Sequence, residues 1–383
     1  MRVISFFLCI AAFYVQGQAL RDINYSYLYD ESAPVRLTFR TVRDTTSWTT
    51  YYQVSLTDGT QDPGIFEVKF ETRKNLYEKS GTPVPEESIR RKDRLSGSVA
   101  IGRTDQPQVL LAHVLHTERK TAWYFYTILE PKHPVTTLVD ASGKPVIYPF
   151  INVPDTLTVN AASGQIVSFY DDKFPPATLP FSEKLGPVSK GMRVDSTFYV
   201  LPAQPFIATQ NGLYLIQSDT MKNEGFVFRG HDDYPRYTRL QNVAEPFIYI
   251  CTRQEFQKIR DALDDKKAFD RVILSITRDQ ERAKKLIRSY FRRVEMANTL
   301  FTSYKEGWKT DRGMIYIIFG PPDEVFRFND REVWNYKIIK QGLSFDFAHS
   351  PSLFDPDNFV LIRSKKYTET WYQMIDMWRS ARF

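Results

Sequence analysis

The sequence predicts a multidomain chain of β and α/β class. Two β-sandwich modules of immunoglobulin-like type come first, then a C-terminal α/β module with one long amphipathic helix and a small antiparallel sheet. Three observations lead there. The first third of the chain alternates short β-branched and aromatic runs with turn residues. A second, proline-broken set of such runs follows. After Tyr237 the apolar period changes from that of strands to that of helices. These shifts divide the chain into 1–19, 20–131, 132–236 and 237–383, and they predict protease-sensitive joints near residues 132 and 236.

In the first module the expected strands are Ile23 to Tyr29, Val35 to Val42, Thr50 to Leu56, Ile65 to Thr72, Gly97 to Ile101, Val109 to Leu115 and Ala122 to Leu129. The polar stretch from Arg73 to Leu95 reads as a long loop. In the second, Val146 to Phe150, Leu157 to Val159, Gln165 to Tyr170, Ser196 to Leu201, Leu213 to Gln217 and Gly225 to Phe228 are candidate strands, with turns at Ser142-Gly143 and Ser163-Gly164. In the third, Thr252 followed by Glu255 fits a capping box, and Thr277 followed by Gln280 a second one. The second opens a helix whose apolar stripe runs from Ala283 through Leu286, Tyr290, Val294, Ala297 and Phe301 to Tyr304. Strands are expected at Met314 to Phe319, Val333 to Ile339, Leu343 to Phe347 and Phe359 to Arg363, and a closing helix at Thr370 to Arg382.

Met1-Arg2, the apolar run Val3 to Val15 and the small or polar exit Gln16-Gly17-Gln18-Ala19 have the order of a secretory signal peptide, with a cut expected near Ala19. The run is shorter than the ~20 residues that span a bilayer. A retained membrane anchor, or a lipid on Cys9, is the less favoured reading of the same stretch. Export would leave Cys251 alone among apolar neighbours, which reads as an inert thiol without a disulfide.

Most catalytic signatures are missing. There is no HExxH, paired CxxC, GxSxG or phosphate-loop pattern. His113 and His116, three apart in a strand, face opposite sides and do not share a metal. His231-Asp232-Asp233 reads as a solvated turn. No cofactor and no metal is expected. A net charge of +6 is too modest to argue for nucleic acid in an exported chain. Arg282, Lys285, Arg288 and Arg292 line one face of the long helix, normally a solvated face, with an anionic partner as the sharper alternative.

The most specific stretch is Gly307-Trp308-Lys309-Thr310-Asp311-Arg312-Gly313, continuing to Gly320-Pro321-Pro322-Asp323 and, downstream, Trp334-Asn335-Tyr336. With Tyr234-Pro235-Arg236-Tyr237, Glu245-Pro246 and Ala268-Phe269-Asp270 upstream, it resembles the GWxTD domain family of secreted bacterial proteins over roughly residues 234–383. Arg271-Val272-Ile273 departs from the aromatic pair common there. The resemblance implies β-rich modules ahead of the domain and a Bacteroidetes-type envelope. It implies no reaction, since the family has no settled activity. A weaker likeness, over the Gly-Pro-Pro turn and the Trp-x-Tyr strand, is to small lipoprotein modules that assist outer-membrane assembly.

Read physically, Gly307 takes positive φ and ends the long helix. Trp308 folds back as an apolar plug on Phe301, Tyr304 and the Met314 to Phe319 strand. Thr310 and Asp311 bond turn amides, and Arg312 pairs with Asp311 or Asp323. Pro322 opens a helical turn bearing Asp323 and Glu324. The competing readings are a charged cleft or a binding groove. The expected function is a non-enzymatic binding or scaffold protein of the periplasm or outer membrane, with envelope proteins as partners. The alternative is a hydrolase using acids near the motif.

Overall fold

A computed structural model describes residues 17–171, 173–183, 192–337 and 342–382; the expected signal peptide lies outside these residues up to Gln16. The first sandwich comprises β1 (Val35–Arg43), β2 (Ser47–Leu56), β3 (Phe66–Arg73), β4 (Thr82–Pro83), β5 (Ile89–Arg91), β6 (Ser96–Gly102), β7 (Gln108–His116) and β8 (Thr121–Leu129). Its two four-stranded sheets run β1-β2-β6-β5 and β4-β3-β7-β8. They close on Trp48, Tyr52, Phe66, Phe70, Leu110 and Phe125. Alternate residues of the strands supply this core because strand side chains alternate between faces. The stretch expected to be a long loop contributes the short edge strands β4 and β5.

The second sandwich comprises β9 (Thr137–Asp140), β10 (Phe150–Asn152), β11 (Asp155–Asn160), β12 (Gln165–Tyr170), β13 (Ser196–Val200), β14 (Pro205–Ala208), β15 (Gly212–Gln217) and β16 (Phe226–His231). The sheets run β10-β16-β15-β12-β13 and β14-β11-β9. The expected strand Val146 to Phe150 is displaced to β10, and β9 and β14 went unseen. Proline explains β14, since its first residue is Pro205, a residue that only edge positions tolerate.

The C-terminal body has α1 (Leu240–Ala244), α2 (Arg253–Asp261), α3 (Lys266–Thr277), α4 (Gln280–Phe301), α5 (Asp311–Phe319), an antiparallel meander of β17 (Glu324–Arg327), β18 (Arg331–Tyr336), β19 (Leu343–His349) and β20 (Phe359–Leu361), and α6 (Thr368–Arg379). The Thr252/Glu255 capping box forms. The second does not: Thr277 ends α3, Arg278 takes φ 58, and Asp279 caps α4 by accepting from the Arg282 amide.

Two expected strands are not strands. Met314 to Phe319 is α5, whose side chains from Gly313 to Phe319 are all buried. A short, uniformly apolar run has no period that separates a buried strand from a central helix, and the Thr310 cap decides it. Ile23 to Tyr29 belongs to neither sheet of the first sandwich. It follows a 3-10 turn at Leu20–Asp22, forms a second at Ser26–Leu28, and carries Tyr25 and Tyr29 into the core of the C-terminal body.

Candidate functional site

The Gly307 to Arg312 segment lies where α4, α5 and the meander meet. Gly307 does not take positive φ, and α4 ends earlier, at Phe301. The glycine is required by proximity: a Cβ there would sit 2.0 Å from the Ala297 carbonyl oxygen, so the turn rests directly on the α4 backbone. Its amide donates to the Tyr234 hydroxyl at 3.1 Å.

Trp308 is 2% exposed. Its amide donates to Asn298 Oδ1 and its indole Nε1 to the Tyr237 hydroxyl, at 3.1 and 3.0 Å, while its carbonyl accepts from the Tyr249 hydroxyl at 3.1 Å. The plug is therefore held by tyrosines from the segment entering the domain. Tyr304 is not part of it and stacks edge-on against Phe174 instead.

Thr310 donates to the Gly307 carbonyl at 2.7 Å and accepts from the Gly313 amide at 3.0 Å, closing the turn and capping α5. Asp311 accepts from the Leu361 amide at 2.8 Å and pairs with Arg363 at 2.6 Å, which ties α5 to β20. Arg312 pairs with neither expected acid. It stacks on the Phe359 ring at 4.5 Å, donates to the Asp357 carbonyl and lies 3.9 Å from Glu332. At the far end of α5, Gly320 takes φ 84, and Arg293 and Trp378 donate to the helix's last carbonyls. Pro321 and Pro322 lead into β17, not into a helical turn, so Glu324 is a strand residue. Asp323 accepts from the Lys337 amide at 2.6 Å. Asp311 and Asp323 thus sit at opposite ends of α5, a rise of ~13 Å for nine residues, and do not form a carboxylate pair. Trp334 and Tyr336 are buried on β18, and the Tyr336 hydroxyl donates to the Gly320 carbonyl at 2.9 Å.

Two buried charge centres beside the motif escaped sequence reading. Glu332, fully buried, accepts from the Tyr29 hydroxyl at 2.5 Å, Trp334 Nε1 at 2.6 Å and Arg327 Nε at 2.9 Å. Burial pushes its carboxyl up, but Arg327, Arg312 and the two donors outweigh that and hold it below the ordinary glutamate range. Glu306 lies between Arg229 of β16, at 3.2 Å, and Lys309, at 3.1 Å, and these cations likewise overcome burial and depress its pKa. Neither centre is legible in the sequence, because each is completed by a residue from a remote segment, Tyr29 for Glu332 and Arg229 for Glu306.

On the basic face of α4, Arg282 and Arg288 are exposed. Lys285 donates to the Ala381 carbonyl at 2.8 Å, and Arg292 pairs with Glu31. The face is thus partly used to hold α6 and the N-terminal segment. Among the described residues no group of His, Cys, Asp and Glu is arranged to hold a metal ion. Burial pushes the Cys251 thiol up to about 12, with the charge of Glu255 adding to it. Two open clefts, of about 430 and 440 Å³, lie on the first and second sandwich, and no motif residue lines either.

Residues 212–380 match the model of a family described as the GWxTD domain. The match starts at β15, inside the second sandwich and upstream of the 234–383 region whose motifs resemble the family. No curated protein matches the chain. Among solved structures, native alpha-2-macroglobulin from Escherichia coli, spanning domains MG0-NIE-MG1, aligns at 13% identity over 52% of this chain and 73% of that one. Its TM-score of 0.15 is too low to establish a shared fold.

Proposed function

Because residues 212–380 of this chain are a GWxTD domain, we propose that the protein is a non-enzymatic binding or scaffold component of a cell envelope, of the Bacteroidetes type, exported through its N-terminal leader. The observation that carries this reading is the inward direction of the motif. Trp308, Thr310, Asp311 and Arg312 are engaged by helix caps, backbone groups, aromatic rings and the Arg363 and Glu332 ion pairs. A motif used this way builds a framework, and the framework presents two sandwiches. No helix among the described residues is long and apolar enough to cross a membrane, which fits a chain held at the envelope through partners.

The test is crosslinking in cells, followed by envelope fractionation and mass spectrometry of the N-terminus. The chain should start near Leu20 and appear in envelope adducts larger than the monomer. The hydrolase reading wins instead if purified protein cleaves peptidoglycan or peptides, and Asp311→Asn abolishes that while still folding cooperatively.

A further inference from the structure

The second sandwich has an open side. β13 ends the five-stranded sheet and β14 ends the three-stranded one. The two edges are joined by Leu201 to Gln204 and are linked across the gap by Phe198 and Phe206, whose rings lie 5.7 Å apart. Edge strands in stable proteins are protected by lysine, proline, a bulge or a covering segment. The β17 edge, for example, is covered: Tyr25 donates to the Val325 carbonyl, and the Val325 amide donates to Asn24. β13 reads Ser-Thr-Phe-Tyr-Val, with no charge and no proline. Around it Tyr199 is 63% exposed, Ile207 61% and Leu201 54%.

At the Ser196 end of this edge lies the cleft of about 440 Å³, lined by Phe169, Asp171, Asp195, Ser196, Gln210 and Asn211. Asp195 accepts from the Asp171 amide at 2.7 Å. Among the described residues neither carboxylate has an ion-pair partner. Among the described residues no strand pairs with the outer edge of β13, so the surface offers strand backbone, apolar side chains and a negative pocket at one end.

We propose that this edge docks an extended segment of another protein, paired antiparallel to β13, with apolar side chains on Tyr199 and Leu201 and a lysine or arginine near its C-terminal end in the Asp171/Asp195 cleft. Strand addition supplies affinity through the main chain, and the cleft supplies selectivity. A second copy of this chain is the poorer occupant. Two β13 strands paired about a twofold at Thr197 would set Asp195 against Tyr199 and bring no cation to the cleft. The inference rests on the binding reading above and names its surface and partner class.

The probe is a short fluorescent peptide of alternating valine and threonine ending in two lysines, titrated by anisotropy into the full chain beside its glutamate-ended counterpart. The lysine peptide should bind at least tenfold more tightly, with the preference shrinking as salt rises. Tyr199→Lys and Asp195→Lys should each weaken binding at least tenfold without lowering the melting temperature. Equal binding of the two peptides, binding of neither, or full binding by Tyr199→Lys would overturn the proposal. So would dimerisation in sedimentation that Tyr199→Lys abolishes. If the peptides fail while envelope adducts persist, only this surface is wrong; if the adducts are absent too, the binding reading itself falls.

Discussion

Asp355 shows how burial acts on a single residue. It is 8% exposed in the loop before β20, and burial, with the charge of Asp357 adding to it, pushes its carboxyl up to about 6. The folded state therefore holds a proton that the unfolded chain releases near pH 4. Between about pH 4 and pH 6 the native state binds more protons, so stability falls as pH rises through that window and stays lower above it. Asp355→Asn removes the titration. It should leave stability near pH 4 little changed and raise it by about 1–3 kcal/mol at pH 8. Urea unfolding at a series of pH values checks this, and a variant with the wild-type slope between pH 4 and 6 would refute it.

At the scale of elements, the segment from α4 to α5 is organised by one plug and one close approach. The Gly307 turn rests on the α4 backbone and drives Trp308 into the Tyr237, Tyr249 and Asn298 pocket. Trp308→Ala removes a fully packed indole and leaves Tyr237 without its donor. It should cost about 3–5 kcal/mol, seen as a lowered melting temperature in circular dichroism. A Trp308→Ala protein that melts like wild type would mean that the turn is not held by its plug. The sequence of α5 reads as a strand for a physical reason: a helix buried on every side has no polar face to mark its period.

At the scale of the whole molecule, the bodies are tied across sequence. Arg43 pairs with Glu224 at 2.5 Å and Arg40 stacks on Phe226 at 3.8 Å, joining the sandwiches. Arg229 joins the second sandwich to Glu306. The N-terminal strap places Tyr29 between Glu332, Trp334 and Phe301. Composition suggests that 236–383 is a separable fragment, but without the strap Glu332 loses a donor and its pocket opens. That fragment should show no cooperative melt. In the intact chain Tyr29→Phe, which deletes a hydrogen bond to a buried carboxylate, should cost about 1.5–3 kcal/mol by thermal or urea unfolding. A fragment melting like the intact chain would show the strap to be dispensable.

What the sequence by itself determined is local or periodic. The alternating strands β1 to β3 and β6 to β8, the amphipathic stripe of α4, the Thr252/Glu255 cap and the motif spelled from Gly307 to Arg312 are all written in neighbouring residues. Local propensity, capping and period act within a few residues, so they survive reading one residue at a time. The tertiary structure alone decided the rest. Arg363, not Arg312, meets Asp311; Glu332 takes a donor from Tyr29, near the other end of the chain; and Tyr25 leaves the first sandwich for the last domain. A buried charge needs a partner at close range whatever its sequence distance, and an apolar run is indifferent to which core receives it. Only the folded chain settles such choices.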